Sequence, residues 1–191
     1  MGFLERLDKY DKLLFQKINQ DWALPFFDWL MPIVRNQQTW YVCYLLLLGY
    51  IIYAFRKKAI PFILLAGACI AVADQLSSSV LKPLFNRIRP CHLTELHTML
   101  RVGYCPGSGS FTSSHAVNHF ALAAYLFFAL KKEWGAWRWL LFVWATFICY
   151  AQVYVGVHYP GDVLGGGILG TCIGYGASIL LRRKFFKAKL H

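Results

Sequence analysis

Val155-Gly156-Val157-His158-Tyr159-Pro160-Gly161-Asp162 is a polar hinge between two long apolar runs, Trp137–Val157 before it and Gly161–Leu181 after it. A histidine followed four residues later by an aspartate can form an oriented imidazole. The carboxylate accepts Nδ1–H, fixes the tautomer and leaves Nε2 free to attack or to take a proton. An isolated H-x-x-x-D is more often a turn histidine satisfied by its neighbour. Chemistry at His158 therefore depends on what else the chain delivers to the same place.

The flanking runs set the fold class. Of the 191 residues, 58% are hydrophobic and only 15% charged, with a mean hydropathy of +0.43, which is a membrane composition. Five apolar blocks lie near Trp40–Phe55, Ile60–Leu81, Ser114–Leu130, Trp137–Val157 and Gly161–Leu181. They read as helices crossing a hydrocarbon core about 30 Å thick. No linker, low-complexity tract or repeat interrupts them. The expected fold is an all-α integral membrane helical bundle of about five transmembrane helices, one domain over residues 39–191.

The net charge of +11 does not mark a nucleic-acid binder, because the basic residues are not arranged as a groove with interleaved aromatics. They sit at helix ends: Arg56, Lys57 and Lys58; Lys131, Lys132 and Arg138; and Arg182, Arg183, Lys184, Lys187 and Lys189. With five spans all three groups fall on one side, which the positive-inside rule makes the cytoplasm. The His158 hinge and the long Asn86–Thr112 loop then face outward.

Residues 1–38 read as an amphipathic interfacial segment. Phe3, Leu4, Leu7, Tyr10, Leu13, Leu14 and Ile18 recur at helical spacing against Glu5, Arg6, Asp8, Lys9, Asp11, Lys12 and Lys17. The run Trp22–Val34 is short and interrupted by Pro25, Asp28 and Pro32. It has no small-residue cleavage pattern, so the segment is expected to stay in the mature protein, with its N-terminus outside.

Span two holds Asp74, a carboxylate costly at that depth unless it faces the bundle interior with a partner. The span ends in Lys82-Pro83-Leu84-Phe85-Asn86-Arg87-Ile88-Arg89-Pro90. Lys82 and Arg89 share a face if the helix continues past Pro83, a point charge and a planar fork for phosphate oxygens. Interfacial snorkelling explains basic residues at a helix end as well, but it favours the cytoplasmic side. Cys91 and Cys105 are the two of six cysteines outside the spans. Outside the cytoplasm they are a disulfide candidate, contributing about 3 kcal/mol on the chain-entropy model.

The loop runs through Gly107-Ser108-Gly109-Ser110-Phe111-Thr112-Ser113-Ser114-His115 into span three. Hydroxyl residues at a helix start are capping chemistry, and the free N–H groups there also suit an anion. His115 stands in the first turn, where an anion would bind. His115 and His119 at i and i+4 are a weak metal signal without a third ligand. Gly166, Gly170 and Gly174 in span five read as a close-packing stripe.

Together these elements resemble the type 2 phosphatidic acid phosphatase (PAP2) superfamily of membrane lipid phosphatases. The family's K-x6-R-P is matched by Lys82, Arg89 and Pro90. Its P-S-G-H appears as Thr112-Ser113-Ser114-His115, and its S-R-x5-H-x3-D as Ala151-Gln152 with His158 and Asp162. The resemblance implies that His158 is the nucleophile forming a phosphohistidine, oriented by Asp162, and that His115 protonates the leaving oxygen. Lys82, Arg89, Ser113 and Ser114 would hold the phosphoryl oxygens, with no metal or other cofactor. Gln152 stands where the family has Arg and supplies no charge, so Arg87, and Arg101 from the loop, are candidates to replace that cation.

The function implied is a phosphatase at the outer face of a bacterial cytoplasmic membrane, its partners the bilayer and a lipid phosphate substrate. What small bacterial members do favours undecaprenyl diphosphate, ahead of phosphatidylglycerophosphate or the phosphate of a lipid A. Two other classes stay open: a catalytically silent lipid-phosphate binder that lost turnover with Gln152, and a metal-dependent hydrolase using His115, His119 and His158. Oligomeric state is not specified by the sequence.

Overall fold

The computed structural model describes residues 2–185, and among these the chain is helical with irregular loops and no strand. Lys187 and Lys189 of the basic tail lie outside the described residues. Helix α1 covers Phe3–Gln16, and a wider turn over Lys17–Asp21 leads to α2, Pro25–Arg35. Then follow α3, Tyr41–Phe55, and α4, Ala59–Gln75, joined by a tight turn at Arg56–Lys58. A π turn over Leu76–Leu81 passes into the short α5, Lys82–Phe85. Beyond the long loop come α6, Ser114–Ala129; α7, Lys131–Trp134; α8, Trp139–Tyr154; and α9, Pro160–Phe185.

Helices α6 and α9 begin where hydroxyl residues and a proline announce them. Helix α8 stops at Tyr154, short of the apolar run's end, because Gly156 takes a φ of 93° that side-chain-bearing residues resist. That turn lifts Val157 and His158 out of the helix. Among the described residues, two continuous helical stretches are long and apolar enough to cross a membrane, Gln37–Phe85 and Pro160–Lys184. Helices α6 and α8 are apolar but only 16 residues each, shorter than the roughly 20 that a crossing takes, so length and composition mark two stretches against the five expected crossings.

Two buried clusters give the bundle its polarity. One gathers Ile51, Ala59, Phe62, Tyr125, Leu130 and Leu181, and so brings the three basic turns to one end. The other gathers Phe15, Met31, Val34, Leu96, Val157 and Tyr159, and holds α1 and α2 against the His158 end. Phe15 is fully buried there, whereas Phe3, Leu4, Leu7 and Tyr10 are exposed, the partition expected of a helix lying in an interface.

Helices α6 and α9 meet backbone to backbone. A Cβ on Gly170 would stand 2.2 Å from the Val117 carbonyl oxygen, and one on Gly174 would stand 2.2 Å from that of Ala121. The glycine stripe therefore packs against the helix that carries His115.

Candidate active site

His158 sits in the α8–α9 turn, 3% exposed. Arg89 Nη1 lies 3.0 Å from its Nε2. A guanidinium only donates, so Nε2 accepts with its lone pair and Nδ1 carries the hydrogen. Nδ1 points to Asp162 Oδ2 at 3.5 Å, too long for a hydrogen bond, and has no other partner. Burial pushes the His158 pKa down to about 4; repulsion from Arg89 and Lys82 adds to this, against the attraction of Asp162. The imidazole is neutral at pH 7, the form a nucleophile needs.

Asp162, itself fully buried, is committed on both oxygens. Arg87 Nη1 donates to Oδ1 at 2.7 Å. The Ser110 hydroxyl and the Tyr159 N–H, the latter at 2.9 Å, donate to Oδ2. These contacts fix the carboxylate beside His158 before any substrate arrives.

Arg89 donates to Ser108 O at 2.8 Å, Ser108 Oγ at 3.1 Å and Val157 O at 2.9 Å. Burial pulls its pKa down, and Asp162 only partly offsets this. Among the described residues neither Arg89 nor Lys82 has a carboxylate within ion-pair range. Lys82 and Arg89 do not share a helical face as expected. Helix α5 ends at Phe85, and Asn86 turns the chain with a left-handed φ of 41°. The two cations still repel each other across that turn.

His115 opens α6, and its imidazole makes no hydrogen bond among the described residues. It interacts electrostatically with His158, Lys82 and Arg35. His119 is occupied: one ring nitrogen lies 2.7 Å from His115 O, the other 3.3 Å from the Tyr44 hydroxyl. Among the described residues no group of three His, Cys, Asp or Glu side chains is disposed to hold a metal.

The expected side-chain caps of α6 are absent. Ser113 is the N-cap residue, but its Oγ is buried and unpartnered. Ser77 of the π turn instead ties Thr112 Oγ1 at 3.1 Å and Ser114 Oγ at 3.0 Å. The α6 N-terminus is thus braced from the π turn that follows α4, and Ser113 Oγ stays available.

Arg87 does not replace the missing cation. Its guanidinium serves three carboxylates, reaching Asp162 Oδ1 at 2.7 Å, Asp11 Oδ2 at 2.8 Å and Asp8 Oδ1 at 3.0 Å. It also covers the Tyr159 ring at 4.0 Å. These charges hold its pKa above the usual range in spite of burial. Arg101 is likewise paired, with Asp28 and the Tyr154 ring. Asp8 and Asp11, together with Ser77, Ser108 and Ser110, are site residues the motifs did not single out. Ser108 and Ser110 stand in the quoted glycine-serine stretch; Asp8 and Asp11 gave only an amphipathic signal.

Gln152 is fully buried, and neither its amide oxygen nor its nitrogen has a partner. An amide that makes no bond among the described residues contributes little to folding and keeps its N–H groups for an acceptor. Gln152→Leu is expected to leave the thermal midpoint within a few degrees of wild type while lowering kcat/KM about tenfold. Thermal unfolding beside phosphate-release kinetics checks both arms.

Cys91 and Cys105 are joined by a disulfide, with a sequence separation of 14. The bridge closes the loop that supplies Arg89 at one end and Ser108 at the other.

A family model described as the PAP2 superfamily matches residues 38–186. The chain is 31% identical over 173 residues to a lipid A 4'-phosphatase of Bacteroides thetaiotaomicron, covering 88% of this chain and 74% of that protein. It is 32% identical to an undecaprenyl-diphosphatase of Sulfolobus acidocaldarius, over 63% of this chain and 54% of that one. The crystal structure of a transmembrane PAP2-type phosphatidylglycerolphosphate phosphatase from Bacillus subtilis has the same fold, with a TM-score of 0.68 at 21% identity, over 97% of this chain and 90% of that one. The motif order, the helical fold and these matches agree: the chain is a membrane phosphatase of the PAP2 superfamily.

Proposed function

We propose that this phosphatase removes a phosphate from a lipid A-type glycolipid through a phosphohistidine, at the extracytoplasmic face of a bacterial cytoplasmic membrane. The observation that carries the chemistry is the neutral His158, its Nε2 lone pair presented to Arg89, beside two cations that have no carboxylate within ion-pair range among the described residues. Those cations suit a phosphoryl group, whose transfer needs positioning and positive charge more than covalent chemistry.

In the first step Nε2 of His158 attacks phosphorus, the bond to the lipid oxygen breaks, and His115, which takes up a proton as the phosphate's negative charge enters beside it, gives that proton to the oxygen. In the second, neutral His115 takes a proton from water, whose oxygen attacks phosphorus and breaks the N–P bond. Arg89, Lys82, Ser113, Ser114 and Gln152 hold the phosphoryl oxygens, and Asp162 stabilises the charge that forms on His158. The disulfide supports an oxidising compartment on this side. The basic turns at the other end support a cytoplasmic face there.

The lipid A-type substrate is favoured over undecaprenyl diphosphate by the longer match to the lipid A 4'-phosphatase. A competing reading, a site that binds lipid phosphate without turning it over, draws on Gln152. Phosphate release by purified protein with excess chelator, from 4'-phosphorylated lipid A and from undecaprenyl diphosphate, separates these. Release that survives the chelator, stops with vanadate and is faster on the glycolipid is the expected result. Release abolished by the chelator overturns the mechanism, a faster rate on undecaprenyl diphosphate overturns the substrate, and binding without release selects the competing reading.

A further inference from the structure

Beside His115 a cavity of about 450 Å³ opens between α3, α4 and α6. Most of its wall is apolar, with Leu47, Ile51, Phe62 and Leu122 among the lining residues, but Asp74 and Asn118 also line it. Asn118 Nδ2 donates to Asp74 Oδ1 at 2.9 Å. Asn118 Oδ1 is buried without a partner, and the pair makes no other side-chain hydrogen bond among the described residues.

The unused capacity of this pair is mainly acceptor: the buried amide oxygen and the second carboxylate oxygen, against one remaining amide N–H. Such atoms in an apolar wall are costly unless a donor faces them. Within the protein Asn118 donates to Asp74, and Lys82 acts on that carboxylate through its charge without a hydrogen bond, so donors on a ligand have both oxygens open to them.

Direction follows from the chemistry proposed above, on which this inference rests. If His115 protonates the leaving oxygen, the departing alcohol emerges on the side of His115, where this cavity begins. We propose that Asp74 and Asn118 bind a hydroxyl or amide N–H next to the scissile phosphate, and that the apolar wall takes an acyl chain of the same leaving group. The site thereby selects a phosphorylated, acylated sugar over a polyprenyl phosphate. A polyprenyl chain carries no donor and leaves both acceptors unpaired. Sites built to hydrogen-bond a substrate group reject the analogue lacking it far more strongly than apolar contacts discriminate size.

The test compares kcat/KM of wild type, Asn118→Ala and Asp74→Asn on 4'-phosphorylated lipid A and undecaprenyl diphosphate. The preference for the glycolipid is expected to fall by about 10- to 100-fold in each variant. Parallel losses on both substrates, or an unchanged ratio, overturn the proposal and leave the pair a purely structural contact. A second measurement needs no turnover: binding of dephosphorylated lipid A to the His158→Ala protein, read as a rise in thermal midpoint. That rise is expected to vanish when Asn118→Ala is added; a rise that persists, or none at the start, overturns the proposal. Failure of the phosphatase reading shows differently, as no phosphate released from either lipid by wild type while binding still reports on Asp74 and Asn118.

Discussion

His158→Ala is expected to abolish phosphate release, by about four orders of magnitude or more, and to remove any acid-labile phosphate trapped on the protein after rapid quenching. The loss is this large because no other group stands where Nε2 does: Arg89 donates to that atom from 3.0 Å, and a donor cannot attack phosphorus. The same residue sets an acid limit. Its pKa is lowered to about 4, so the free protein keeps a neutral nucleophile above that pH and loses it as pH falls through about 4. Unfolded, the histidine titrates near its ordinary 6.5. Between these values the unfolded chain binds more protons than the folded one, so stability also falls as pH drops from 6.5 towards 4. A kcat/KM profile whose acid limb tracks an ordinary histidine instead would remove His158 from the role.

Arg87→Ala carries the second large effect. It leaves Asp8, Asp11 and Asp162 without their shared cation, and breaking a partly buried ion pair from one side costs about 3–5 kcal/mol. Activity is expected to fall about 100-fold or more, with a lower thermal midpoint and with protease cleavage appearing in the turn between α1 and α2. Arg87→Lys should recover only part of this, since one ammonium cannot serve three carboxylates and cover the Tyr159 ring. The role is one of positioning: Arg87 touches Asp162, not the phosphate. Normal kinetics in Arg87→Ala, with only the stability reduced, would confine it to the fold.

Much of this arrangement was legible in the chain. The apolar blocks gave the helices, Pro160 and the Ser113-Ser114 pair gave two of their starts, and the family motifs singled out Lys82, Arg89, His115, His158 and Asp162, of which Arg89, His158 and Asp162 meet in one cluster. Local signals failed where a residue's partner lies far away in sequence. Arg87 looked like a spare phosphate ligand because its partners, Asp8, Asp11 and Asp162, are about 75 residues away on either side, and no periodicity encodes such a pairing. The shared face of Lys82 and Arg89 failed for a different reason. Proline alone does not say where a helix stops, and here the stop is Asn86 in a left-handed turn. Ser113 read as a cap because the cap and the orphan hydroxyl have the same sequence signature.

The contact of Gly170 and Gly174 with the α6 backbone has a mechanical meaning. Helix α6 carries His115, the proposed proton donor, while α9 begins beside His158, the proposed nucleophile, and carries Asp162. With no side chain between them, the two helices have no compressible layer, so their spacing is set by backbone atoms rather than by rotamers. A bilayer that thins, thickens or stretches can tilt α3 and α4, whose outer faces are lipid-sized Leu, Ile and Val, without altering the span between the two histidines. The spacing of His115 and His158 is riveted by backbone, and what compliance the bundle has is left to its lipid-facing helices.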